Sequence, residues 1–96
     1  MIQIDSAKAE IIRIADIKQA AGRVILETYP DWKQRNHLKR AVQLTRTESK
    51  WSPADAVEAA TLEAWGAWVD AVRAASDAAE KSGTSADKIK WPQPPK

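Results

Sequence analysis

The chain has 96 residues, a formal net charge of +2 and no cysteine. Its length predicts one domain, and the lack of cysteine excludes disulfides, thiolate metal sites and thiol redox chemistry. So small a charge does not by itself indicate nucleic acid, no apolar run approaches the ~20 residues of a membrane span, and the N-terminus lacks the basic and apolar regions of a signal peptide.

Tryptophan is the unusual component of the composition. The chain has five Trp and no Phe, and much of its other apolar content is Ala, which favours helices but buries little area. The few large side chains must therefore supply most of the core. Because Trp is also enriched at binding hot spots, we expect some of the five to face a partner.

A first helix is predicted over residues 6–28. Residues 1–5 are interpreted as an extended lead-in, after which Asp5 or Ser6 caps the helix. Spacings of three and four place the larger apolar residues on one face. This stripe consists of Ile11, Ile14, Ile17, Ala21, Val24 and Ile25. The helix ends at Tyr29-Pro30, because the residue before a proline disfavours helix.

A second helix is predicted over residues 32–47. Asp31 is the expected N-cap, with Gln34 in capping-box register. The apolar residues of this helix are sparse and include Leu38, Val42 and Leu44. Its polar residues are strongly basic, and four of them form a candidate basic patch: Lys33, Arg35, Lys39 and Arg40.

A third helix is predicted over residues 53–81, from the start signal Ser52-Pro53-Ala54-Asp55 to a C-cap at Gly83. Its apolar stripe consists of Val57, Leu62, Trp65, Trp68, Val69 and Val72. At about 43 Å it is long for a compact bundle of this mass. It is therefore expected to project, to bend near Gly66, or to pair with a second copy.

The predicted fold class is all-α, a three-helix antiparallel arrangement in one domain over residues 1–96 with a C-terminal tail. Short connectors favour antiparallel neighbours. The tail, residues 84–96, ends in Trp91-Pro92-Gln93-Pro94-Pro95, which favours an extended conformation. Trp91-Pro92 is expected either to fold back over the bundle or to dock into a groove of a partner.

The residue types predict no enzyme, no cofactor and no metal. His37 is the single His, and its basic neighbours disfavour both an imidazolium and a bound cation. The acidic residues match no metal motif, the glycines form no phosphate-binding loop, and no Ser or Thr has a His–acid pair to activate it. The expected activity is therefore binding to a protein partner.

The basic patch leaves other readings open. A helix after a tight turn that carries Arg, Gln and Asn can enter a DNA groove, with Arg and Lys on phosphates. The low net charge argues against this interpretation. An acidic protein could bind the same patch, and a solvated face or intramolecular ion pairs would explain it equally well.

Two stretches resemble a known family. Tyr29-Pro30-Asp31-Trp32-Lys33-Gln34-Arg35-Asn36 looks like a box that recurs in small proteins encoded in the tail modules of tailed bacteriophages. The stretch from Trp65-Gly66-Ala67-Trp68 to Trp91-Pro92-Gln93-Pro94 is similar to the C-terminal region of phage tail fibre assembly proteins. In that family a Trp-rich helix is followed by a spacer and a terminal Trp-Pro segment.

The resemblance implies a chaperone or accessory subunit for the receptor-binding fibre, encoded by a phage or prophage, without enzyme activity or cofactor. It implies action in the host cytoplasm during assembly, or a place in the virion tail. Carried over by position, it marks six candidate partner-binding residues: Tyr29, Trp32, Trp65, Trp68, Trp91 and Pro92. The alternative is a phage-encoded inhibitor of a host defence complex, and the third hypothesis is a DNA-binding regulator.

Overall fold

The computed structural model describes residues 6–95, so the lead-in expected over residues 1–5 lies outside the described part of the chain. Helix α1 spans Ser6–Thr28, α2 spans Asp31–Arg46 and α3 spans Pro53–Ser82. Short 3-10 turns occupy Glu48–Lys50 and Ala86–Lys88, and residues 6–95 contain no strand. The all-α, three-helix prediction is confirmed, and each predicted helix end lies within one residue of the observed one.

Helices α1 and α2 follow one another along α3, and both run antiparallel to it. Near its start α1 lies against the end of α3, where Arg13 reaches the carbonyl of Ala79, while Arg40 in α2 reaches Glu58 near the start of α3. The molecule measures 70 × 20 × 19 Å. Placed end to end, α1 and α2 account for about 60 Å at 1.5 Å per residue. The fold is therefore long and two helices thick.

Both ends of α3 are capped as the sequence predicts. Ser52 and Asp55 form a capping box, each side chain bonding the other's backbone N–H at 3.1 Å. At the other end Gly83 adopts φ 79°, and the Thr84 N–H donates to the Ala79 carbonyl. This left-handed cap satisfies carbonyls that the last turn leaves without helical partners.

The prediction of Asp31 as N-cap of α2 is wrong. Pro30 is the N-cap, with φ −66° and ψ 161° and no side-chain cap bond, and Asp31 is the first helical residue. The backbone N–H groups of Lys33 and Gln34 donate to the Pro30 carbonyl at 2.9 and 3.0 Å. The Gln34 side chain donates to the Tyr29 carbonyl at 2.7 Å and so bridges the break. Because the Pro30 carbonyl accepts the first bonds of the helix, Asp31 is already helical and α2 begins one residue earlier than predicted.

The core lies between α1 and α3. Ile17 and Val72 are fully buried at its centre. A cluster of buried residues extends from there to the α1–α2 break: Ala21, Tyr29, Trp65, Trp68 and Val72. Most of the two predicted stripes therefore face each other, as expected.

Several residues of the predicted apolar sets are instead exposed: Ile11, Leu38 and Val57 are each 67% accessible, and Val42 is 45% accessible. Ile11 precedes Arg13, which already lies beside the last turn of α3, so α3 gives Ile11 little cover. Leu38 and Val57 lie in the half of the molecule where α2 and α3 pair with each other alone. One neighbouring helix covers only a narrow stripe of each.

The C-terminal tail folds back along the bundle. The indole N–H of Trp68 donates to the Pro92 carbonyl at 2.9 Å. Trp91 is half-buried and packs against the core cluster. Trp91-Pro92 was expected either to fold back over the bundle or to dock into a partner, and it folds back. The tail covers the half of the molecule in which α1 packs against α3.

Candidate partner-binding site

The two family-like stretches meet in one aromatic cluster at the α1–α2 break. The ring of Tyr29 lies 4.8 Å from the ring of Trp65, centroid to centroid. Trp65 and Trp68 are 5.8 Å apart in an edge-to-face arrangement, which is a favourable geometry for aromatic pairs. Pro92 joins the cluster through the Trp68 indole. Segments distant in sequence therefore form one packed unit.

His37 contacts this cluster at its polar group, the Tyr29 hydroxyl. Its Nδ1 lies 2.8 Å from the Tyr29 hydroxyl, and its ring is 6.1 Å from Trp65. Burial lowers the pKa of His37, nearby Lys33 lowers it further, and Glu58 opposes both. Burial also raises the pKa of the Tyr29 hydroxyl. The neutral imidazole that carries its hydrogen on Nε2 accepts the Tyr29 hydrogen bond.

The candidate basic patch is divided by the fold. The Lys33 ammonium lies 4.1 Å from the Trp65 ring centroid, a cation–π contact. Arg40 donates to Glu58 at 2.9 Å and lies 3.5 Å from Asp55. The other two members, Arg35 and Lys39, are exposed and form no ion pair within residues 6–95.

The six candidate partner-binding residues differ widely in accessibility. Tyr29 and Trp65 are each 7% exposed and Trp68 is 4% exposed, so they belong to the core. Trp91 and Pro92 are half-buried. Trp32 is 60% exposed and is the member that a partner can reach most fully. Binding of a partner by any of the six stays a prediction.

A groove lies between α1 and the tail and has a volume of about 740 Å³. Trp91 and Ile89 form its tail side, and Ile12 and Val24 form part of its α1 side. Ile12 is 54% exposed. Trp91 was a predicted site residue, whereas Ile12 and Ile89 were not, because only the course of the tail brings the three together.

A second groove runs between α2 and α3. Two adjoining cavities of about 420 and 250 Å³ share Ala41 and Leu62 on their walls. Leu38 and Gly66 line the first cavity, and Ala59 lines the second. The groove was not predicted from the sequence. The three-residue spacing of Leu38 and Ala41 nevertheless places both on one face of α2, beside the buried Leu44 that packs against α3.

Residues 6–95 contain no group of three His, Cys, Asp or Glu side chains placed to hold a metal ion. None of the helices in this range is both long and apolar enough to cross a membrane. Comparison of the chain with protein-family models, curated proteins and solved structures gave no match.

Proposed function

We propose that this chain is a non-catalytic bacteriophage protein that binds the tail fibre and assists its folding or assembly. The observation that carries the proposal is the convergence of the family-like stretches. Tyr29 from the first box contacts Trp65 from the second, and Trp68 bonds Pro92 of the terminal segment. If the stretches belong to one family motif, their residues are expected to pack together in one folded unit.

The groove between α1 and the tail is the proposed fibre-binding surface. It combines the motif residue Trp91 with the exposed apolar side chain of Ile12. Arg23 and Glu27 also line it, so one positive and one negative side chain lie beside its apolar residues. Such a groove suits an amphipathic helix or an extended segment that buries a few apolar anchors.

The proposed action needs no chemical step. Apolar surface that is exposed before a fibre trimer assembles makes its chains prone to aggregate. An accessory protein that covers such a segment keeps the fibre chain available for correct association. An elongated helical protein presents a long surface for this purpose.

Co-expression with a tail fibre gene from the same genome tests the proposal directly. The yield of soluble, trimeric fibre that attaches to tails should fall when this protein is omitted. Ile12→Asp should reduce the yield, whereas Ile11→Asp should not, because Ile11 is exposed on the same helix but does not line the groove. Fibre that folds and attaches equally well without this protein would refute the proposal.

The alternative function, inhibition of a host defence complex, is favoured by two exposed basic side chains on α2. Arg35 and Lys39 are exposed and available to an acidic protein surface or to a nucleic acid held by such a complex. The combined change of both to Glu should abolish binding to a host nuclease complex and leave fibre assembly intact. A DNA-binding regulator would instead show affinity for duplex DNA that falls steeply with salt. Absence of binding at low salt would exclude that third role.

A further inference from the structure

The chain exposes far more surface than a compact protein of its mass. Its accessible surface is 7243 Å², whereas about 5,500 Å² is expected for 10.6 kDa. Its radius of gyration is 18.2 Å, against about 12.5 Å for a compact chain of this length. A stable interface of standard size covers about 800 Å² on each partner. The excess of about 1,800 Å² is enough for such an interface.

One uncovered groove runs between α2 and α3. Gly66 lines this groove, and Ala75 lies beside residues 88–90 of the tail. These two residues are nine positions apart, which at 3.6 residues per turn places them on opposite sides of α3. The tail therefore covers one side of α3, and the groove opens on the other. Leu38, on its α2 wall, is 67% exposed.

The charges of the two helices are complementary to each other. Helix α2 carries five basic residues and one acidic residue, and α3 carries six acidic residues and two basic ones. Arg35 lines the α2 side of the groove and Glu63 lines the α3 side. Arg40, five residues after Arg35, bonds Glu58, five residues before Glu63, so in this antiparallel pair Arg35 and Glu63 are at similar heights.

A helix pair with one basic and one acidic member can bind a copy of itself. A twofold axis parallel to the helices places α2 of each copy over α3 of the other, and all neighbouring helices remain antiparallel. The apolar strip of each groove then faces the other, as in antiparallel four-helix bundles. A twofold axis across the helices would instead bring like charges together, so the charge pattern selects the first arrangement.

We propose that the α2–α3 groove binds the same groove of a second copy and forms a four-helix bundle. Leu38 packs against the partner's Leu62 and the partner's Gly66, and Arg35 pairs with the partner's Glu63. This interface lies on the side of α3 away from the tail, so it is separate from the proposed fibre-binding groove. The proposal does not depend on the fibre role.

Sedimentation analysis of the full chain over a wide concentration range tests the proposal. The wild type should have twice the 10.6 kDa mass of one chain. Leu38→Asp should raise the dissociation constant by about 100-fold or more, because it buries an unpaired carboxylate. The matched control is Val57→Asp, which changes an equally exposed residue that does not line the groove and should leave the dimer intact.

Charge exchange tests the orientation of the two copies. Arg35→Glu and Glu63→Arg should each weaken the dimer, and the two changes together should restore it. Circular dichroism should show unchanged helix content in every variant, since Leu38, Arg35 and Glu63 are exposed. A wild type that stays monomeric at all concentrations would overturn the proposal. So would a dimer that tolerates Leu38→Asp, or a monomer that uses Leu38 to bind the fibre.

Discussion

The Tyr29 hydroxyl and Nδ1 of His37 lie 2.8 Å apart and join α1 to α2 across the break at Pro30. Tyr29 is buried against Trp65, so its hydroxyl has lost most of its access to water. A buried hydroxyl needs a partner, and the single imidazole of the chain supplies it. This bond therefore connects the packing of the aromatic cluster to the direction in which α2 leaves it.

Removing the hydroxyl should destabilise the protein modestly. Tyr29→Phe keeps the ring on Trp65 but leaves Nδ1 of His37 without its partner. We expect the free energy of unfolding to fall by about 0.5–1.5 kcal/mol. Urea denaturation followed by Trp fluorescence measures this. In the His37→Ala background, which has no side-chain acceptor, the same change should lower the free energy of unfolding by a different amount, because the two side chains are coupled. Equal costs in both backgrounds would show that the bond contributes nothing.

The stability of the protein should decrease as the pH falls below about 6.5, the ordinary pKa of histidine. The pKa of His37 is lowered in the folded protein, chiefly by burial and then by the Lys33 charge. The unfolded chain therefore binds this proton first, and protonation favours unfolding. Above the unfolded pKa the contribution of the neutral imidazole is fully present, and it is lost as the pH falls toward the folded pKa.

Denaturation midpoints between pH 7.5 and 5.5 provide the measurement for this prediction. Carboxyl groups ordinarily titrate near 4, so histidine dominates this window. The His37→Gln variant should have a nearly flat profile over the same range. A wild-type profile that is equally flat, or that rises toward low pH, would contradict the lowered pKa.

The helix boundaries could be predicted because their signals are local. Pro30 ends α1 by restricting the residue before it, the Ser52-Pro53-Ala54-Asp55 start builds its own capping box, and Gly83 supplies the left-handed residue of the C-cap. Each signal depends on residues within a few positions of one another. The stripe on α1 was also predictable from Ile17 onward, because α3 covers that length of the helix.

The buried face of α2 could not be predicted from its composition. Lys33, His37, Arg40 and Leu44 face α3, whereas Leu38 lies at the edge of the groove and stays 67% exposed. This choice depends on α2 continuing past the end of α1, which leaves it with α3 as its only large neighbour within residues 6–95. The Trp count indicated binding surfaces, yet two of the five Trp, Trp65 and Trp68, lie in the core.

Arg13 should be important for stability although it is a charged residue near the start of α1. Its guanidinium donates to the carbonyls of Ala79 at 3.0 Å, Glu80 at 2.8 Å and Thr84 at 2.8 Å. A cation at a helix C-terminus also interacts favourably with the helix dipole. Arg13→Met retains the stem but removes all three bonds, so we expect a loss of about 1.5–3 kcal/mol.

Thermal and urea denaturation of Arg13→Met measure this loss. Arg23→Met is the matched control, because Arg23 is exposed on the same helix and forms no hydrogen bond or ion pair to residues 6–95. It should change the free energy of unfolding by less than about 0.5 kcal/mol. Equal effects of the two changes would mean that the end of α3 does not depend on the guanidinium.

Alanine substitutions at two glycines should have opposite effects. Gly83 has φ 79°, a conformation that costs an L-residue roughly 1 kcal/mol, so Gly83→Ala should destabilise the end of α3. Gly22 lies inside α1 with helical geometry, and a Cβ added there meets nothing within 4 Å. Gly22→Ala should therefore stabilise the protein by about 0.5–1 kcal/mol, through the higher helix propensity of Ala.

Denaturation midpoints of the two single variants and of the double variant test this pair of predictions. A Cβ on Gly83 also meets nothing within 4 Å, so its cost comes from the backbone alone. Gly83→Asn should then be milder than Gly83→Ala, because Asn tolerates the left-handed conformation better than other side chains. The effects at the two glycines should add, since Gly22 lies in mid-α1 and Gly83 at the far end of α3. Destabilisation by Gly22→Ala would mean that its neighbours close on this position in solution.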